Sequence, residues 1–307
     1  METRRRRGLA APLILAVVAV FGLSMASAIL VTAPHAASTE NARTNAPAGL
    51  AAGFTAFLHP NPGVYASKIT KENSENWAGY GDVAKTSGTI TDVFAEWFVP
   101  TVTCNEHSGV TYQAQWVGID GLVNGNVSQV GSLAYCSGPG ATPAYYTWYE
   151  FYPYESVVLV ADSSANAFIT AYVDYNPTVA VDGSTGIYTL ELDDLSNAVN
   201  FVVTGGGWVC GATGCEGGPD QSAECISEAV TLDNSFANLS DYKSTTFYAC
   251  HDTIGTHTTG IGDQGSGTAI YRLNQLGASE KTDQKTGSLS SSEFADDTFT
   301  ITWEHSN

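Results

Sequence analysis

The chain has 307 residues and a formal charge of −19, with 31 acidic side chains against 12 basic ones. Arg4 to Arg7, Arg43 and Lys68 all precede residue 70, so the remainder sets 6 basic residues against 29 acidic ones, a balance of −23. A surface of that sign repels phosphate backbones and anionic membranes at neutral pH, which argues against a nucleic-acid partner and against membrane binding beyond any targeting segment. The same composition suits an acid medium. Asp and Glu take up protons near pH 4, and a chain with few Lys and Arg then carries only a modest positive charge.

In chain order, Met1 to Arg7 form a basic head, an apolar stretch runs from Leu9 to about Leu30, and Ala26-Ser27-Ala28 offers an A-x-A cleavage site. Residues 1–28 are therefore expected to be a secretory signal, or an anchor if left uncut, with the rest of the protein extracellular. Residues 29–70 are rich in Ala, Thr, Asn and Pro without sustained periodicity, and read as a propeptide or linker. The composition changes at Asn76-Trp77, and all six tryptophans lie from there onward. Residues 71–307 are expected to form one domain.

That domain reads as strands. Val93–Val99, Tyr145–Phe151, Phe168–Asp174, Ile187–Leu192 and Phe299–Trp303 alternate with a period near two and are dominated by β-branched and aromatic residues. Asp182-Gly183 is a tight-turn signal. No segment carries a helical stripe over three turns. Many short strands without intervening helices predict an all-β antiparallel sandwich or barrel. The six cysteines, Cys104, Cys136, Cys210, Cys215, Cys225 and Cys250, follow an export signal and predict disulfides, of which a Cys210–Cys215 loop is one candidate.

Missing motifs narrow the chemistry. The chain lacks H-E-x-x-H, G-x-S-x-G, Asp-Thr-Gly and Asp-Ser-Gly. Gly260-Ile-Gly-Asp-Gln-Gly265 matches G-x-G-x-x-G but has no following helical pattern, so it reads as a loop. His251 and His257 lack a third ligand at a recognisable spacing and read as loop histidines. Neither metal nor cofactor is expected.

Six blocks in order resemble the glutamic peptidases of the eqolisin type, a group that includes the scytalidoglutamic and aspergilloglutamic peptidases. They are Asn76-Trp-Ala-Gly-Tyr80, Trp97-Phe-Val-Pro100, Trp116-Val-Gly-Ile-Asp-Gly121, Val127-Ser-Gln-Val-Gly131, Tyr146-Thr-Trp-Tyr-Glu-Phe-Tyr-Pro153 and Ala223-Glu-Cys-Ile-Ser-Glu228. The resemblance implies a sandwich of two large sheets with a groove across one concave face, acid endopeptidase activity insensitive to pepstatin, and protein or peptide substrates. It implies that Gln129 and Glu228 are catalytic, with Trp116, Asp120, Glu150 and Tyr152 around them. A monomer is expected. Cys225 and Ser227 stand where relatives carry an aromatic and an aliphatic residue. Both are expected to point away from Glu228, altering packing or adding a disulfide.

Side-chain alternation gives an independent check on those positions. Trp116, Gly118 and Asp120 should share a face, as should Trp148, Glu150 and Tyr152, and Glu224, Ile226 and Glu228. In the mechanism these residues suggest, an ionised Glu228 takes a proton from water and returns it to the leaving amine. The Gln129 amide positions the water and donates to the developing oxyanion. Two rival readings use the same strands: a glycoside hydrolase with Glu150 and Glu228 as its acid–base pair and the exposed aromatics as a sugar platform, and a secreted carbohydrate-binding or surface-layer module that keeps the sandwich without catalysis.

Overall fold

The computed structural model describes residues 30–32 and 69–306, apart from 87, 105–108, 154, 179–185, 207–219, 233–234, 263–267, 278–280 and 293–294. The export signal, the Asp182-Gly183 turn, the Cys210–Cys215 loop and the end of the Gly260–Gly265 segment lie outside the described residues. Before residue 69, a three-residue strand β1 (Leu30–Thr32) is described.

The strands then run β2 (Thr70–Ser74), β3 (Trp77–Ala84), β4 (Ile90–Phe98), β5 (Thr111–Ile119), β6 (Val127–Cys136), β7 (Ala144–Tyr152) and β8 (Glu155–Asp162). They continue as β9 (Phe168–Asn176), β10 (Ile187–Asp194), β11 (Val199–Gly206) and β12 (Ser222–Glu228). Three two-residue strands follow, β13 (Thr231–Leu232), β14 (Ser235–Phe236) and β15 (Asn238–Leu239). The chain ends with β16 (Ser244–Ile254), β17 (His257–Gly260), β18 (Thr268–Leu276), β19 (Thr282–Thr286), β20 (Ser290–Ser292) and β21 (Ala295–Trp303). Each strand expected from the sequence is present, most of them extended by a residue or more at one or both ends. No helix occurs among the described residues.

Two layers result. The first runs β18-β3-β12-β5-β6-β7-β8 and the second β11-β10-β9-β4-β16-β21, with every neighbouring pair antiparallel. The layers are not separate sheets. Strand β19 pairs with β18 on one side and β21 on the other, so 19 strands form one hydrogen-bonded sheet folded into a sandwich. Parallel pairings occur at β1–β11, β2–β18 and β15–β5.

The main core lies between the layers. Tyr80, Val117, Ile119, Val130, Phe151 and Cys225 from the first layer pack on Val93, Trp97, Ile169, Val173, Leu190 and Phe247 from the second. Burying such apolar surface stabilises the sandwich by about 25 cal/mol per Å². The two layers differ in their other faces. In the second layer β9 and β10 alternate strictly between buried and half-buried residues, as a sheet with one solvated face must. In the first layer β3, β5 and β12 are buried at every position. Their outward face carries a second apolar cluster, with Trp77, Trp116, Leu133, Trp148 and Ile226 at its centre.

A disulfide ties the layers at β12. Cys225 turns inward, as expected from its place between Glu224 and Ile226, and bonds to Cys250 of β16. Ser227 also turns away from Glu228, its hydroxyl donating to Gln284 Oε1 at 2.5 Å. The Cys104–Cys136 disulfide joins the loop before β5 to the end of β6.

Candidate active site

The outward face of the first layer gathers most of the residues singled out in the sequence. Across β12, β5 and β6, Ile226 lies opposite Trp116 and Trp116 opposite Gly131. One row along, Glu224, Gly118, Gln129 and Glu150 line up on β12, β5, β6 and β7. Four residues further along β12, Glu228 lies between Trp77 and Ala114. Residues directly opposite in neighbouring strands point to the same side of a sheet, so Gln129, Glu150, Trp116, Glu224 and Glu228 share one face.

Glu228 is held at both oxygens. Trp116 Nε1 donates to Oε2 at 2.8 Å, and Asn76 Nδ2 donates to Oε1 at 3.0 Å. Asn76 is itself fixed by a turn in which Ser74 Oγ accepts the backbone N–H groups of Asn76 and Trp77 at 3.3 and 3.0 Å. The Trp77 ring meets Trp116 edge-on, with centroids 4.8 Å apart and planes at 75°. The indole of Trp116 can lie against the sheet because two neighbours have no side chain. A Cβ on Gly131 would stand 2.7 Å from Trp116 Cβ, and one on Gly118 would stand 2.9 Å from Trp116 Cζ3.

Burial pushes the Glu228 carboxyl up to about 8, against the opposing pull of Trp116, Trp77 and Asn76. The Trp77 indole exerts that pull without a hydrogen bond of acceptable geometry, since its Nε1 has no partner. Two N–H donors aimed at two oxygens favour the carboxylate, whereas the dry surroundings favour the acid. In this structure dryness wins, because Glu228 is 1% exposed and Gln129 equally so. Both residues expected to line the groove are buried in this structure.

Gln129 donates from Nε2 to Glu150 Oε2 at 2.7 Å, while its Oε1 is buried without a partner. Tyr152 stands at the end of the same strand as Glu150; burial and the Glu150 charge push its phenol up. Glu224 is fully buried, and burial raises its carboxyl well above the usual range against the opposing pull of Ser222 and the Leu122 backbone. The structure thus forms two clusters on one face, Gln129 with Glu150 and Glu228 with Trp116 and Asn76. Register separates Gln129 from Glu228 by two strands and four positions.

Asp120 departs from the alternation expected of it. Strand β5 ends at Ile119, and Asp120 adopts φ 72°, so its side chain leaves the row of Trp116 and Gly118. Its carboxylate accepts the N–H groups of Asp220 and Gln221 at 3.2 and 3.0 Å and the Asn124 amide at 2.8 Å. It pins the loop that leads into β12. Burial raises Asp120 to about 6 and, with the Asp120 charge added, raises Asp220 to about 8.

His251 and His257 are strand rather than loop residues, on β16 and β17. The His251 ring stacks on Phe94 with centroids 4.9 Å apart. Among the described residues no group of three His, Cys, Asp or Glu is arranged to hold a metal. The sequence assigned no role to Asn76 and Trp77, although it placed them in a recognisable block. The signal available was Ser74 two residues before Asn76, a pattern that fixes a local turn.

An all-β sandwich with these blocks in order is a peptide hydrolase of the glutamic type. The chain belongs to the Peptidase A4 family, whose model matches residues 75–303. Among solved structures it is similar to scytalido-glutamic peptidase bound to a transition state analog inhibitor. That match has 19% identity, covers 75% of this chain and 98% of that one, and has a TM-score of 0.55. It is also similar to SCP-B, an eqolisin solved in complex with the tripeptide Ala-Ile-His, at 19% identity, the same coverage and a TM-score of 0.52. No curated protein matches the chain.

Proposed function

We propose that this peptide hydrolase is a secreted acid endopeptidase in which Glu228 activates a water as general base and Gln129 donates to the oxyanion that develops on the scissile carbonyl. The observation that carries the reading is the grip on Glu228 by Trp116 and Asn76, on the same sheet face as the Gln129–Glu150 pair. Uncovering the face returns water to Glu228 and removes most of the penalty on its charge. Its two N–H donors then hold the carboxylate oriented as a general base in acid. The Gln129 amide stays a donor at any pH, and Glu150 sets its orientation by accepting from Nε2. In the covered form Glu228 keeps its proton and Gln129 has no oxyanion to serve.

The chain order supports export: residues 1–28 act as the signal, residues 29–70 as a propeptide, and residues 71–307 as the catalytic domain, working as a monomer. Two disulfides among the described residues fit an oxidising compartment. The test is digestion of casein by the processed protein across about pH 2 to 7 with pepstatin present. The expected result is pepstatin-resistant cleavage confined to acid, lost in both Glu228→Gln and Gln129→Ala. Near-normal turnover by either folded variant would remove that residue from the mechanism.

A further inference from the structure

On the far side of the sandwich from Glu228, a cleft of about 340 Å³ opens beside the end of β4 and the start of β16. Phe98 and Tyr248 form its aromatic wall, both exposed to solvent. Their rings stand at 89° with centroids 6.3 Å apart, and Phe168 supports Phe98 from behind at 4.9 Å. The rest of the lining is polar, with Thr101, Asn166, Ser244 and Thr246, the last two on the same face of β16 as Tyr248. Asn166 is set in place by its backbone N–H, which donates to the Val99 carbonyl at 2.7 Å, and its side-chain amide donates to Thr101 at 3.3 Å.

The charges around this cleft select its ligand. Among the described residues no carboxylate lines it, so a cation finds no direct counter-ion there. Its one ionic side chain, Lys243, has its charge taken by Asp241 and lies 5.5 Å from the Trp303 ring centroid. An anion therefore finds no unengaged cation in the lining to pair with. A neutral ligand remains. A peptide chain is disfavoured because β4 is paired on both edges, with β9 and β16, leaving no strand edge to extend. Exposed aromatic rings flanked by hydroxyl and amide groups suit a molecule with C–H faces and hydroxyl edges. The size is that of a small-ligand site.

We propose that this cleft binds a neutral pyranose oligosaccharide, stacked on Phe98 and Tyr248 and hydrogen-bonded by Asn166 and the adjacent hydroxyls. The main core separates it from Gln129 and Glu228, so a glycan there holds the enzyme on a polysaccharide or glycoprotein surface without entering the peptidase site.

The experiment is calorimetric titration of the Glu228→Gln protein with cellohexaose, xylohexaose and chitohexaose, and with a neutral Gly-Ser peptide as control. At least one sugar should bind saturably and the peptide should not. Phe98→Ala and Tyr248→Ala should each weaken that sugar by about tenfold or more, and Asn166→Ala by less. Both aromatics are exposed, so the variants should keep the parent melting temperature, and in the active protein they should keep peptide kcat/KM. Failure of all three sugars to bind overturns the proposal. So does binding unaffected by Phe98 and Tyr248, preference for the peptide, or competition between the sugar and a peptide substrate.

Discussion

The two layers of the sandwich are built from similar strands and, although Asp194 and Asp252 are buried in the second, β9 and β10 place most of their polar residues differently from β3, β5 and β12. In β9 and β10 every second residue is half-buried, and the carboxylates of Asp174, Glu191 and Asp193 sit on that wetter side. In β3, β5 and β12 nothing is exposed, yet Asp82, Gln113, Gln115, Glu224 and Glu228 lie within or beside them. Burying a carboxyl costs several kcal/mol unless it is paired or stays neutral. Such groups in a layer that could have been apolar therefore point to chemistry or to an acid working range. The second layer supplies the rigid backing, while the first carries the strain of polar burial.

Loss of activity should separate the layers most sharply. Glu228→Gln in the first layer is expected to cut kcat by about 10²–10⁴-fold, the range for a lost general base. Glu96→Gln, the same chemical change on the half-buried face of the second layer, should leave kcat within about twofold. Comparable losses in both would mean that the sheet face carries no special chemistry.

Stability against pH comes next. Asp82 is raised to about 7 by burial, Asp120 to about 6, and Asp220 and Glu228 to about 8. Each keeps a proton in the folded state that the unfolded chain gives up near pH 4, so folding takes up protons between those values. The stabilisation is complete below about pH 4 and is lost as pH rises through 6 to 8. A melting temperature that falls by on the order of 10 °C between pH 4 and 8 is the expected outcome in a thermal scan. A flat profile would mean these carboxyls find charge compensation. Glu224→Gln should make the fall shallower, because one proton-holding group is gone.

The inter-layer staple is the third lever. Cys225 and Cys250 close a loop of 25 residues in sequence. Replacing both with alanine should cost about 3 kcal/mol in chemical denaturation. Next in size, Asn76→Ala leaves one Glu228 oxygen without its donor and should lower kcat by about tenfold. The acid limb of the pH–rate profile should shift upward with it, since the carboxylate loses support. An unshifted limb with lower kcat would make Asn76 merely structural.

Much of this was legible in the sequence, for definite reasons. Strands such as Phe168–Asp174 announced themselves because one face is wet and the alternation survives. Strands β3, β5 and β12 gave no alternation to read, and were located by blocks such as Trp116-Val-Gly-Ile-Asp-Gly121. The shared face of Glu224, Ile226 and Glu228 followed from period two. Asp120 broke that rule because a positive φ at the end of β5 turned its side chain towards Asp220, and a left-handed residue at Asp-Gly is not visible in periodicity. The Asn76 contact spans 152 residues and the Cys225–Cys250 pairing crosses the layers, so neither could be assigned from spacing alone. The bridging of the layers by β19 was equally hidden, because Thr282–Thr286 is a polar segment with no strong pattern.

The smallest effect sharpens the comparison from the quiet side. Glu191 is half-buried on β10 and its carboxyl is raised by burial and by the Asp193 charge. Glu191→Gln removes that repulsion at neutral pH and adds no buried polar group, so stability at pH 7 should rise by no more than about 0.5 kcal/mol. Below about pH 4 the carboxyl is already neutral and the variant should match the parent. The measurement is a pair of urea titrations at the two pH values. A loss above about 1 kcal/mol at either would show that the second layer also depends on its polar side chains, and would blur the division of labour between the layers.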